Sequence, residues 1–332
     1  MKQYLDLLSN IIENGDVKDS ARDNMPGTRQ LFCEMMTFDL QRGFPLVTTK
    51  RMFTRGVFEE LFWFLRGDVN NKSLLEKKVN IWNEDVYKFY VKNLPHGAEV
   101  KGFEQWVADY ETADPMDYNG GTLYGQLWRN FGYFKIPVDA EHDIVIEGVD
   151  QIKNVVNDII SNPNGRYKIV SAWNPQIVNV GGSALPSCHM LFQLNVRKGE
   201  FLDLGIVQRS CDMPLGVPFN VASYALLIHI FAIMTGLKPG VLKWIGMDCH
   251  IYENQLETAD IQIAREPKGL PHLYLELSDL QNDLIGLSLK EKSWDSNRIN
   301  EFFQSLEFEN VKLDGYEPHS KLDYPLSTGL VK

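Results

Sequence analysis

Residues 219–236 read FNVASYALLIHIFAIMTG and are apolar on almost every side of a helical projection. A helix without a polar face has nothing to offer water along its length. The segment therefore predicts a helix at the centre of the molecule, with the other elements folded over it. The chain has 332 residues, 44% of them apolar, which is enough to build that cover as one large domain. No run of about 18 apolar residues is found, so no segment is expected to span a membrane. The opening MKQYLDLLSNIIENG mixes charged and apolar residues and lacks the apolar core of a signal peptide, so a reducing cytoplasm is the expected compartment.

The covering elements follow from periodicity. Tyr4, Leu5, Leu8, Ile11 and Ile12 repeat at helical spacing before Gly15. Residues 16–28 read as a polar loop, and residues 29–40 as a strand with Phe32, Met36 and Phe38 on one side. Residues 54–66 predict a buried helix, and residues 150–161 a helix stopped by Asn162-Pro163. Strands are expected at 167–173, 190–197, 201–209 and 241–248, and a helix at 253–265. Residues 86–121, rich in Pro and Gly, read as an insertion in a single domain rather than a second one. The expected class is α+β, a large mixed β-sheet with flanking helices around the long buried one.

The net charge of −11 argues against broad nucleic-acid binding but leaves room for a small anion among a few arginines in one cleft. The four cysteines, Cys33, Cys188, Cys211 and Cys249, form no CxxC pair, and no spacing suits a structural metal. Cys188 lies between a Pro-Ser turn and a strand, and Arg209 near the end of the next strand. Antiparallel pairing of those strands would place a guanidinium beside a thiol, which favours the nucleophilic thiolate. A lone cysteine is more often a small buried hydrophobe, the reading kept for Cys33 and Cys211. Glu60 sits on the apolar side of its helix with Val57, Leu61 and Phe64. Its carboxylate must be paired, protonated or functional there, and an ion pair with Arg51 or Arg55 is the structural alternative.

Several segments, in order, resemble the thymidylate synthase family: FPLVTTKR (44–51), EELFWFLRGD (59–68), LYGQLWR (123–129), GRYKIVSAWNP (165–175), ALPSCHMLFQ (184–193), QRSCDMPLGVPFN (208–220) and GMDCHIYENQ (246–255). The resemblance implies a homodimer with sheets stacked back to back, acting on dUMP with 5,10-methylenetetrahydrofolate. It implies Cys188 as the nucleophile at C6, Glu60 and Tyr124 in water and proton handling, Arg209 beside the thiol, and His189 near O4. The nucleotide would be held by Arg22, Gln208, Arg209, Ser210, Cys211, Asp212, His250 and Tyr252, with Arg166 lent by the partner subunit. Asn220 would read the base, because a carboxamide matches O4 and N3–H of uracil. Folate contacts would come from Lys50, Ile81, Trp82, Asp212, Gly216 and Phe219.

The sequence also departs from that family's pattern. Arg166 is followed by Tyr167 rather than a second arginine, and Arg22 is one position out of register, with Arg29 as a substitute. Asp85 stands where a second tryptophan is usual, Ser187 replaces a proline, Phe53 replaces a histidine, and the tail PHSKLDYPLSTGLVK runs on to a lysine. A wetter site favours adding water, rather than hydride, to the one-carbon unit. The balance of these departures favours 5-hydroxymethyl-dUMP as product. Reductive methylation to dTMP is the main alternative, and an inactive binding homologue a distant one.

Overall fold

The computed structural model describes residues 1–20, 25–137 and 143–326. Arg22 and the last six residues of the tail lie outside them. A six-stranded sheet is built from β1 (Asp16–Lys18), β2 (Thr28–Asp39), β5 (Ile169–Ser171), β6 (His189–Arg197), β7 (Phe201–Asp212) and β8 (Lys238–Tyr252), in the order β1-β2-β8-β7-β6-β5. Only β7 and β8 run parallel, so the sheet is mixed as expected. Two small antiparallel ladders stand apart, β3 (Phe134–Pro137) with β4 (Asp143–Ile146), and β9 (His272–Leu275) with β10 (Val311–Asp314).

The central helix runs Gly216–Thr235 and packs against β7 and β8. Val221, Ala225, Leu227, Ile228 and Phe231 are all closed off from solvent. By length and composition alone this helix could cross a bilayer, contrary to the sequence reading that no such run exists; in the fold most of it is buried inside the domain. Gly236 ends it in the left-handed region at φ 73°, where a side chain would be strained.

Local signals explain where sequence and structure differ. Asp16–Lys18, read as loop, pairs with β2 and extends the sheet edge. Alternation in β2 breaks around Cys33, which takes φ 66°: Gln30, Met36 and Phe38 are buried, Leu31 packs on the core, and Phe32 is 68% exposed. Cys33 is thus an exposed thiol, not a core residue. The irregular segment 86–121 holds the greater part of a helix, Asn83–Asn93, and all of a shorter one, Phe103–Ala108. They close over Trp106, which is fully buried and stacks on Tyr118 at 4.4 Å.

The fold's stability should depend on the central helix. Leu227→Ala removes a fully buried side chain and should cost about 2–5 kcal/mol. Urea unfolding of the two proteins measures this, and a loss below about 1 kcal/mol would mean the site collapses without leaving a cavity.

Candidate active site

β6 and β7 run antiparallel with His189 opposite Gln208. This register brings the start of one strand against the end of the other, and the amide of Arg209 donates to the Cys188 carbonyl at 2.6 Å. The Arg209 guanidinium then turns back over the preceding loop. Its Nε donates to Ser187 O at 3.3 Å, its Nη2 to Pro186 O at 3.2 Å, and Nη2 lies 3.8 Å from Cys188 Sγ. Trp173 covers the guanidinium at 5.6 Å. A positive charge held this close to sulfur favours the thiolate.

Cys188 opens into a cavity of about 240 Å³. Of the residues singled out from sequence, Glu60, Ile81, Trp82, Tyr124, His189 and Gln208 line it, as do Ser210, Asp212, Gly216, Asn220, His250 and Tyr252. Phe64, Asp85 and Leu185 complete the wall. Phe64 and Leu185 carried no sequence signal as site residues, since their apolar character marks them equally as core. Sequence separations of more than 190 residues are closed here by the sheet and by the N-terminal end of the central helix.

Glu60 makes no ion pair with Arg51 or Arg55; Arg55 instead lies 3.7 Å from the neighbouring Glu59. The Glu60 carboxyl accepts a 2.7 Å hydrogen bond from Trp82 Nε1. Burial raises it from 4.5 to about 7, and the indole bond offsets this in part. It is therefore poised to take up and release protons near neutrality. The Tyr124 hydroxyl accepts from the amides of Cys188 (2.7 Å) and His189 (3.0 Å), which leaves its own proton to be donated. Burial pushes that phenol well above its ordinary value. His189 is held down to about 4 by burial and is neutral at pH 7.

One corner of the cavity is a polarised chain. Trp244 Nε1, a donor only, bonds Gln208 Oε1 at 2.8 Å. The Gln208 amide group then donates to Asn220 Oδ1 at 2.9 Å and to Ser210 O at 3.0 Å. The oxygen of Asn220 is thereby oriented, and its NH2 is left on the other side. Nothing in the sequence marked Trp244, 36 residues from Gln208. His250 Nδ1 is similarly set by Asp248 Oδ1 at 2.8 Å, which holds the Asp248 carboxyl below its usual range.

A family model described as Thymidylate synthase matches residues 2–328. The chain belongs to the thymidylate synthase family. The reaction of that family is folate-dependent transfer of one carbon to C5 of dUMP, and it makes this chain a one-carbon transferase.

Other expected residues fall outside the cavity wall, Arg209 among them, although its guanidinium reaches Cys188 Sγ. Cys211, taken from the family's pattern as a nucleotide contact, is buried, with its thiol donating to Gln208 O at 3.5 Å. Lys50, expected at the folate tail, is buried instead: Nζ donates to Pro214 O and lies 4.7 Å over the Tyr324 ring, and burial lowers it to about 8. Arg29 donates to Ile12 O at 2.8 Å, which draws its guanidinium towards the first helix. Phe219 is partly buried beside Gly56. Arg166 is exposed and does not line the cavity of its own chain.

The raised Glu60 carboxyl gives a signed pH test. Folded, the group keeps its proton to about pH 7; unfolded, it releases it near 4.5. Its contribution to stability is complete below 4.5 and is lost as pH rises through about 7. Thermal melts should show wild type losing stability relative to Glu60→Gln over that interval. A difference independent of pH would contradict the raised value.

Proposed function

We propose that the cavity binds dUMP and 5,10-methylenetetrahydrofolate, and that Cys188 attacks C6 of the pyrimidine. The observation carrying this reading is the placement of Cys188 Sγ 3.8 Å from the Arg209 guanidinium, in one cavity with Glu60 and Asn220. Bonding of Sγ to C6 makes C5 electron-rich, and Asn220 and neutral His189 hold the O4 side of the ring as charge collects there. Asn220 NH2 donates to O4, and its oxygen keeps a lone pair for N3–H. Glu60, with Tyr124, moves protons to and from the ring through water, including the proton lost from C5. Arg209 and Ser210 bind the phosphate, and His250 and Tyr252 the sugar hydroxyl.

The pocket fits the second substrate in type. Ile81 and Trp82 offer an apolar wall, Gly216 adds no side chain to the cavity, and Asp212 supplies acceptors for a pterin's N–H groups. Methylenetetrahydrofolate supplies the one-carbon unit and, on the reductive route, a hydride.

We infer hydroxymethylation as the outcome. Asp85 lines the cavity with Trp82 and Glu60. A carboxylate in that wall holds water where a second indole would exclude it. Addition of water to the exocyclic methylene, with departure of Cys188 as thiolate, gives 5-hydroxymethyl-dUMP and leaves tetrahydrofolate unoxidised. Hydride transfer would instead give dTMP and dihydrofolate.

A back-to-back homodimer is supported by β2, which leaves the apolar side chains of Phe32 and Met35 exposed. None of the four cysteines is in a disulfide, which fits a reducing cytoplasm.

Cys188→Ala should abolish tritium release from [5-³H]dUMP and the covalent adduct with 5-fluoro-dUMP, while nucleotide binding persists. Retained release would end the mechanism. Mass analysis of the product decides between the two outcomes, and Asp85→Trp should shift product towards dTMP with dihydrofolate formed in step. An unchanged product ratio would remove Asp85 from the argument. Asn220→Asp should move preference towards the cytosine nucleotide; unaltered preference would refute the role given to Asn220.

A further inference from the structure

Lys168 is completely closed off from solvent. Lysines are rarely so, because a buried ammonium is costly unless every donor is met. Here three backbone carbonyls meet it: Asn162 O and Gly165 O at 2.7 Å and Pro163 O at 3.2 Å. The Asp158 carboxylate lies 3.5 Å away. An ammonium has three donors, and this one directs all of them into a single loop. That loop follows the helix Gln151–Ser161, where carbonyls lack intrahelical partners. Its next residue is Arg166.

Arg166 is also held from the other side, its carbonyl accepting from Gln193 Nε2 of β6 at 3.0 Å. The backbone is therefore clamped on both flanks, while the side chain is exposed. Beside it, Tyr167 is 89% exposed and Ile169 42%, and both line a surface groove of about 370 Å³ with exposed Val149 and the polar side chains of Gln151, Asn154 and Asp158. Its exposed apolar members, Val149, Tyr167 and Ile169, are what a second copy of the chain would cover. A clamp of this kind is of use to an arginine that must reach beyond its own subunit, because each unfixed torsion in the loop would lower the fraction of time it meets its target.

We propose that Lys168 is a positioning residue: its carbonyl cage fixes the 162–165 loop so that Arg166 projects into the nucleotide phosphate site of the partner subunit. The ligand class is a nucleoside monophosphate dianion. This rests on the reading of Arg166 as a residue lent across the dimer. With no second arginine beside it, the loop itself must hold the one that is present.

The test uses the full-length enzyme and tritium release from [5-³H]dUMP, which reports turnover whichever product forms. Arg166→Ala should raise KM for dUMP about tenfold, the scale of one charge-assisted contact. Lys168→Met should raise it about three- to tenfold with kcat within about twofold of wild type. The double variant should be no worse than Arg166→Ala alone, because Lys168 acts through Arg166. A normal KM in Lys168→Met, with only a lower melting temperature or active fraction, would overturn the inference, as would losses that multiply in the double variant. An unchanged KM in Arg166→Ala sinks the assignment of Arg166 itself, whatever Lys168→Met does. Should Lys168→Met fail to fold, Lys168→Gln, which keeps a donor for the cage, carries the same comparison.

Discussion

The packing of the apolar helix Gly216–Thr235 against β7 and β8 is the constraint from which the remaining geometry derives. Each large side chain that it buries stabilises the domain by about 1.5–3 kcal/mol, so the helix fixes the sheet above it. β7 lies directly on it and carries Gln208, Arg209, Ser210 and Asp212. The helix's first turns carry Gly216 and Asn220 to the same place. A site assembled on elements held by the core inherits the core's rigidity, which keeps the Cys188 thiol and the Arg209 guanidinium together.

Buried polar groups are costly, and in this cavity the cost is offset by pairing that also sets direction. Trp244 can only donate, so Gln208 presents its oxygen to it, and Asn220 receives the Gln208 amide. His250 is oriented by Asp248, and Glu60 by Trp82. The same reasoning applies at Lys168, whose three donors are met by backbone carbonyls. Asp85 is a second carboxylate in the lining that also holds Glu60, Phe64, Ile81 and Trp82.

The elements that were legible in the sequence are those with a strong period. The helices near 54–65 and 151–161, and strands β6, β7 and β8, each lie within a few residues of their expected bounds, apart from the longer ends of β8. Elements that escaped the sequence reading lacked a local signal. Phe32 is exposed beside Cys33, which adopts a positive φ, and no rule of alternation announces such a break at a cysteine. The helix Asn83–Asn93 runs through the start of a segment whose prolines and glycines suggested irregularity, and a buried Trp106 organises the chain beyond it.

The sequence by itself determined which chemical groups are present and roughly which segments carry them: a thiol at 188, a guanidinium at 209, a carboxyl at 60, a carboxamide at 220, and a helix with no polar face to offer water. The order of the family's motifs pointed to their roles. The tertiary structure alone decided which groups touch. It gave the Glu60 carboxyl an indole partner instead of an arginine, removed Lys50 and Cys211 from the cavity wall, and tied Asn220 to Trp244 through Gln208. Periodicity is a property of neighbours along the chain, whereas proton affinity and hydrogen-bond direction are set by neighbours in space, which can lie far apart in sequence.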